Sequence, residues 1–261
     1  MGTKQRIDQA LVSTGMARDI DEANRLVMAG KVQYLGQIVF QSSQQISIVE
    51  GISIIPDQKF VSRGGDKLQA AFDLFPIDVH GMVCADIGAS SGGFTDCLLQ
   101  NGAEKVYAID VGYGILEWKL RNNPRVEVME RTNARNLEKL PSAVKFFTAD
   151  VSFISLKKIL VPAAGWFSKD GGQAVILIKP QFEATREEAA KGGGVISSPE
   201  IHQRVIKEIL CFAADTGFAA AGLIRSPLIG PAGNVEFIAW LIYPGDRVEK
   251  NEIQTLISSI F

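Results

Sequence analysis

The stretch Asp86-Ile87-Gly88-Ala89-Ser90-Ser91-Gly92-Gly93-Phe94 puts glycines where an apolar, strand-like run gives way to a helical one. Glycine in such a turn lets the backbone approach a ligand at the carboxyl edge of a sheet. A dinucleotide fingerprint would read G-x-G-x-x-G, whereas this one reads D-x-G-x-x-x-G-G with an acid inside the strand end. That pattern suits S-adenosylmethionine better, because no pyrophosphate then needs a helix N-terminus. Asp110 follows 22 residues after Gly88, at the end of a second strand-like run, where a carboxylate can accept from ribose hydroxyls. Asp86, Gly88, Ser90, Gly92, Gly93, Phe94 and Asp110 are thus the candidate cofactor contacts. The competing reading is that Gly92 and Gly93 merely allow close helix packing.

The elements that must hold these residues are legible from periodicity. Apolar runs at 83–86, 106–110, 126–129, 146–150 and 174–178 alternate with helical segments, which predicts a parallel sheet covered on both faces. A Gly-rich loop at 191–194 leads to a helix over 199–215, with Ser198 as its N-cap and Pro199 in its first turn. Two further strands, 221–225 and 236–243, joined by Gly230-Pro231-Ala232-Gly233-Asn234, suggest an antiparallel edge. Before residue 61 the pattern differs. Two short helices, the second opened by Asp19 and Glu22 as a capping box and closed by Gly30, precede alternating pairs at Val32/Tyr34, Ile38/Phe40, Ile46/Ile48 and Ile52/Ile54. This reads as a small α+β domain over 1–56, a linker over 57–60 containing Lys59, and a Rossmann-like α/β domain over 61–261.

Composition narrows the function classes. The 261 residues are 46% hydrophobic and 21% charged, enough apolar material for a packed core. The longest strictly apolar run, 237–243, is far short of a bilayer span, and residues 1–17 lack the apolar centre of a signal peptide, so a soluble cytoplasmic protein is expected. Cys84, Cys97 and Cys211 lie far apart with no C-x-x-C pair, and His80 and His202 are the two histidines, which argues against a metal site, a disulfide framework and a histidine triad. The net charge is −2, and residues 1–60 balance six Lys/Arg against six Asp/Glu, so nucleic-acid affinity requires a local patch.

Seven ordered stretches resemble the TlyA, or hemolysin A, family. They are Ser62-Arg63-Gly64-Gly65-Asp66-Lys67-Leu68, the Asp86 to Asp96 loop, Asp110-Val111-Gly112-Tyr113-Gly114, Glu130-Arg131-Thr132-Asn133, Asp150-Val151-Ser152-Phe153-Ile154-Ser155-Leu156, Ile178-Lys179-Pro180-Gln181-Phe182-Glu183 and Gly230 to Phe237. The family joins an RNA-binding domain of the ribosomal protein S-four type to an FtsJ-like methyltransferase domain. The resemblance implies ribose 2'-O-methylation from S-adenosylmethionine, with ribosomal RNA, free or in an assembled subunit, as partner and no membrane or metal.

It also implies a catalytic tetrad that falls on Lys67, Asp150, Lys179 and Glu236. Lys179 is expected at the centre, Asp150 and Glu236 orienting it and balancing its charge, and Lys67 positioning the hydroxyl. A lysine held among carboxylates could accept or orient the proton of a poorly nucleophilic ribose hydroxyl. Asn133 either touches the cofactor's adenine side or caps a turn. Phe153 and Phe182 either stack on adenine or a splayed base, or pack in the core. Arg6, Arg18, Arg25, Lys31 and Arg63 are the positions at which the family would present cations to RNA phosphates. The chain departs from the family's usual pattern with Tyr34-Leu35-Gly36 in place of Val-Asn-Gly, Ile115 in place of Gln, and Ile196-Ser197-Ser198-Pro199 without the common Arg-Asp. Three rival readings stand beside this one: a membrane-active hemolysin, a nicotinamide-dependent oxidoreductase, which shares the sheet and Asp110 but is disfavoured by the glycine spacing, and an RNA-binding protein whose methyltransferase module is inactive.

Overall fold

The computed structural model describes residues 4–55, 58–230, 232–245 and 250–261; Pro56 at the end of the expected first domain, Asp57 of the expected linker, and Pro231 lie outside them. The chain forms two compact units, Met1–Gln58 and Lys59–Phe261.

In the first unit β1 (Gln5–Arg6) leads into helix α1 (Ile7–Ser13), followed by α2 (Ile20–Met28), β2 (Val32–Tyr34), β3 (Gln37–Ile38), β4 (Gln45–Ile46) and β5 (Ile52–Ile54). β1 pairs with β4, while β2 sits between β3 and β5 in a three-stranded antiparallel sheet. Ile7, Leu11, Ala23, Val27, Val32 and Ile52 form the centre of its core. β1 was invisible to periodicity because a two-residue strand has no alternation to read. The capping box closes differently from its expectation. Asp19 Oδ1 accepts from the Glu22 amide at 2.7 Å, but the Glu22 carboxylate reaches the amide and guanidinium of Arg18 instead of the Asp19 amide. The β2–β3 turn is the expected one, with Leu35 at φ 48° and Gly36 at φ 80°. A two-residue hairpin of this hand requires positive φ at both positions, which glycine adopts freely and leucine does not.

The second unit runs α3 (Gly64–Leu74), β6 (Val83–Ile87), α4 (Gly93–Gln100), β7 (Lys105–Ile109), α5 (Trp118–Arg121), β8 (Val126–Met129), β9 (Phe146–Ala149), α6 (Lys157–Ala164) and β10 (Gly172–Ile178). It continues with α7 (Pro180–Glu183), α8 (Arg186–Lys191), α9 (Pro199–Asp215), β11 (Ala219–Arg225), β12 (Phe237–Tyr243) and α10 (Lys250–Ser258). Its seven-stranded sheet has the order β11-β12-β10-β9-β6-β7-β8. Alternate residues of each strand serve opposite faces. Cys84, Val106, Phe146, Val175 and Ile238 pack with Leu68, Leu98 and Leu120 of α3, α4 and α5. Ile87, Ile109, Phe147, Ile176 and Ala239 pack with Leu160, Ile206 and Ile257 of α6, α9 and α10. Burial on both faces is why these strands read as unbroken apolar runs.

The expected antiparallel edge is corrected in one respect. β12 is antiparallel to both β10 and β11, so the reversed strand lies one place inside the sheet, and the edge strand β11 runs with the parallel set. The crossover through α9 leaves room for one strand beside β10, and the chain returns from β11 to fill it. Strand order reverses at β6, whose neighbours are β7 on one side and β9 on the other, and a crevice opens there at the carboxyl ends.

Replacing Leu35 by asparagine, which tolerates left-handed backbone, is expected to stabilise the protein by about 0.5–1 kcal/mol, some of the relieved strain being offset by lost contact with Gly51. Chemical denaturation of the full chain measures it; an unchanged or lowered stability would show that the turn is not strained.

Candidate active site

The crevice begins where β6 ends. Gly88 has φ 82°, and a Cβ there would stand 2.3 Å from the carbonyl oxygen of Asp150, so the ends of β6 and β9 meet across a glycine that no side chain could replace. Ser90, at φ 51°, donates its amide to Asp110 Oδ2 at 2.8 Å, and Gly112 donates to Asp110 Oδ1 at 2.7 Å. Two backbone donors thus immobilise the Asp110 carboxylate at the end of β7 and leave a lone pair on each oxygen for further donors.

Two sequence expectations are corrected here. Asp86 is fully buried: its oxygens accept from Thr95 Oγ1 at 2.7 Å and Thr148 Oγ1 at 2.9 Å, so it ties β6 to α4 and β9 beneath the loop and offers nothing to a ligand. Gly92, at φ 98°, faces Leu116 and Leu120, either of which a Cβ would strike, and its role is packing. Gly93 packs as well: a Cβ there would meet Ser62 Oγ at 2.3 Å and the Gly65 amide at 2.8 Å, allowing α3 and α4 to start in contact, and with Phe94 it lines the smaller of the crevice's two cavities, not the cleft that holds Asp110.

A cleft of about 730 Å³ runs along Gly88, Ser90, Asp110, Asn133, Val151 and Phe153. Its size is within the range of small-molecule sites. Asn133 caps the turn, its Oδ1 accepting from the Arg135 amide at 3.2 Å, and it also lines the cleft. S-adenosylmethionine fits this donor set. Asp110 would hold its ribose hydroxyls, the bare backbone at Gly88 would let its chain pass close to the strand end, and the Asn133 segment would flank its base.

A second cavity of about 310 Å³ shares Gly88, Ser90, Asp150 and Ser152 with the cleft, and Lys67, Asp150, Lys179 and Glu236 all line it. The four come from the first turn of α3, the end of β9, the end of β10 and the start of β12. They form two ion pairs: Lys179 Nζ to Asp150 Oδ1 at 2.5 Å, and Lys67 Nζ to Glu236 Oε2 at 2.6 Å. Glu236 therefore neutralises Lys67, not Lys179 as the sequence reading expected. Lys179 also donates to Ser152 Oγ at 3.1 Å, a partner the reading did not single out although it stands two residues after Asp150. Both lysines are 9% exposed and Glu236 2%, so the charges are largely desolvated and each needs its partner. Glu236 is held by its loop: Asn234, itself buried, accepts from the Ile196 amide and donates to the Gly194 carbonyl, both at 2.9 Å. Leu228 and Ile229 complete the wall, and nothing in their local pattern marked them.

Arg63 is exposed at the rim of the second cavity. In the first unit, Arg6 makes a bidentate contact with Asp8, at 3.1 and 2.6 Å, and Arg18 pairs with Glu22 at 2.9 Å. The Arg6 contact holds the Asp8 carboxyl below the usual range. Arg25 is exposed on α2 and Lys31 half-buried just before β2. Phe153 is 91% exposed at φ 62°, which removes the core-packing reading for it, and its ring lies 4.9 Å from that of Phe182.

A family model for FtsJ-like methyltransferases matches residues 60–243. The 16S/23S rRNA (cytidine-2'-O)-methyltransferase TlyA of Mycobacterium tuberculosis is 42% identical over 251 residues, covering 95% of this chain and 93% of that protein. Hemolysin A of Brachyspira hyodysenteriae is 39% identical over 243 residues, covering 91% of this chain and 99% of that protein. A solved structure of a hemolysin-named protein from Streptococcus thermophilus superposes with a TM-score of 0.73 at 39% identity, covering 99% of this chain and 96% of the other. The chain belongs to the FtsJ-like methyltransferases and, within them, to the TlyA or hemolysin A family.

Burial pushes the Asp86 carboxyl up to about 6 from an ordinary 3.8, against the pull of Thr95 and Thr148. A carboxyl whose folded-state pKa is raised favours the fold fully below its unfolded value and loses that contribution as pH rises through the folded value. Relative to Asp86→Asn, the parent is therefore expected to lose on the order of 2–3 kcal/mol of stability between pH 4 and pH 7. Denaturation of both proteins across that range measures it, and a difference that does not change with pH would contradict it.

Proposed function

We propose that this protein transfers a methyl group from S-adenosylmethionine to a ribose 2'-hydroxyl of ribosomal RNA. The observation that carries the reading is the pair of adjoining cavities that meet at Asp150, one offering Asp110 to a cofactor ribose and the other enclosing two paired lysines. Relatives named as an rRNA 2'-O-methyltransferase and a hemolysin share most of the chain's length. Among the described residues no helix is long and apolar enough to cross a membrane. The buried, paired lysines have a use in methyl transfer and none in lysis.

When bound, S-adenosylmethionine supplies a methyl group already activated on a sulfonium. The remaining work is alignment and removal of one proton. Lys179, fixed by Asp150 and Ser152, meets the hydroxyl at the junction of the cavities as a neutral amine that has given its own proton to solvent; its lone pair takes the hydroxyl proton as the oxygen bonds to the methyl, and Asp150 balances the ammonium so formed. Lys67, neutralised by Glu236, borders the sugar, and Arg63 at the rim takes an adjacent phosphate. Phe153 offers an exposed ring face to a splayed base. The first unit, of the S-four type, adds RNA affinity through Arg25 and Lys31, with Arg18 exchanging its carboxylate for a phosphate partner and Arg6 offering its remaining donors while it stays on the buried Asp8.

Asp110→Ala is expected to weaken S-adenosylmethionine binding by about tenfold or more, since a charge-assisted hydrogen bond contributes roughly 1.5–3 kcal/mol. Calorimetric titration checks this, and parental affinity would remove Asp110 from the cofactor site. Lys179→Ala is expected to lose most turnover, on the order of a hundredfold, while keeping cofactor affinity. Lys179→Arg rescues poorly because a guanidinium is wider and stays protonated. Methyl transfer at saturating cofactor and ribosomal RNA, with the modified ribose mapped, is the measurement. Near-parental rates in both variants would overturn the role of Lys179, and an absence of ribose methylation by the parent would overturn the function.

A further inference from the structure

Lys179 and Glu183 stand at the two ends of a single helical turn, with the Phe182 amide bonded back to the Lys179 carbonyl. Facing that turn is the segment from Asp150 to Leu156, which leaves β9 and enters α6. The two segments touch at three successive points. Lys179 meets Asp150 and Ser152, the Phe182 ring meets Phe153, and the Glu183 carboxylate accepts from Ser155 Oγ at 2.6 Å and from the Leu156 amide at 2.7 Å. Sheet pairing between β9 and β10 joins the same segments at their base, the last paired residues being Ala149 and Ile176.

We infer that Glu183 is a positioning residue for methyl transfer: by clamping Ser155 and Leu156 it fixes the loop that presents Asp150, Ser152 and Phe153 to Lys179. The inference rests on the reading of Lys179 and Asp150 given above. The loop needs such an anchor. Phe153 at its middle holds a left-handed backbone, a conformation that persists only where the surroundings impose it. The Phe153 side chain is almost wholly exposed and supplies little of that constraint itself.

The chemistry of the clamp is specific to a carboxylate. Ser155 and Leu156 present two donors to the two oxygens of one side chain, whereas an amide has one acceptor oxygen and would turn its own donor toward one of them. Burial pushes the Glu183 carboxyl above the usual glutamate range, with Ser155 and the Leu156 amide acting in the opposite direction. Among the described residues no ion pair within 4.0 Å neutralises it; Lys157, the first residue of α6, attracts it more weakly than those two donors do and is itself paired with Glu208 at 3.5 Å. A desolvated carboxylate spent on two neutral donors is costly unless the segment it holds must be held. The segment carries Asp150 and Ser152, the two side chains that fix Lys179, where a displacement near 1 Å is enough to cost about a hundredfold in rate.

The test uses the full chain with ribosomal RNA and S-adenosylmethionine, comparing the parent with Glu183→Ala, Glu183→Gln, Ser155→Ala, the Glu183→Ala/Ser155→Ala double variant and Lys179→Ala. Glu183→Ala is expected to lower kcat by about tenfold or more while the KM for S-adenosylmethionine stays within about threefold. Glu183→Gln should fall between it and the parent, and the double variant should be no slower than Glu183→Ala alone, because the two changes break one contact. A side chain that only supports the fold would lower the unfolding temperature and leave the kcat of folded protein unchanged. Should Glu183→Ala not fold, Glu183→Gln and Ser155→Ala carry the comparison. Parental kcat in the folded Glu183 variants, with Lys179→Ala inactive, would overturn the role of Glu183 alone. Parental kcat in Lys179→Ala as well would overturn the mechanism on which it rests.

Discussion

Two lysine ammonium groups sit 9% exposed at the carboxyl end of a parallel sheet, and a desolvated charge survives in a fold only if an opposite charge meets it at close range. Much of the surrounding architecture follows from that demand. Asp150 must leave β9 beside the end of β10 to reach Lys179, which the parallel register of the two strands provides. Glu236 must arrive from the opposite direction to reach Lys67, which explains why the strand it introduces is the reversed one. Gly88 must be bare because the Asp150 backbone lies across it. The loop at 194–196 and Asn234 must be sewn together because the segment from Asn234 delivers the buried Glu236 carboxylate.

Separate pairing has a chemical consequence. A single lysine between two carboxylates would be strongly favoured in its protonated form, whereas one carboxylate to each lysine leaves each charge balanced. Lys179 adds a hydroxyl contact to Ser152, so its nitrogen is directed as well as neutralised, which suits a group that must meet a substrate hydroxyl in one geometry. Lys67 lacks such a second partner among the described contacts, in keeping with a role at the edge of the reaction.

The first unit follows a looser rule. Its Arg18–Glu22 pair is at the surface, where ion pairs contribute little and exchange readily, whereas Arg6 is paired with the buried Asp8. Arg6 and Arg18 are each held by a carboxylate of the same unit. A polyanion would compete for the Arg18 guanidinium, whereas the desolvated lysines of the second unit are protected from such exchange.

The sequence by itself determined the elements and the inventory of the site. The strand over Val126–Met129 and the helix over Pro199–Asp215 were readable because continuous apolar runs and a Ser198 cap are local signals. The glycine-rich turn and Asp110 were readable because they stand out at the ends of apolar runs, whereas the four tetrad residues came from the family resemblance and not from any local pattern. Only the tertiary structure decided who faces whom. Lys67 and Glu236 are 169 residues apart, and no local pattern says that they pair with each other. Asp86 looked like a site residue because an acid at a strand end is conspicuous; Thr95 and Thr148, brought in by α4 and β9, turn it into a core residue. Likewise Gly92 was conspicuous for its type, but Leu116 and Leu120 assign its role, and β12 lies inside the sheet because of where α9 leaves space. Local propensity acts over a few residues along the chain, whereas burial and charge pairing act between segments that meet only after the sheet has formed.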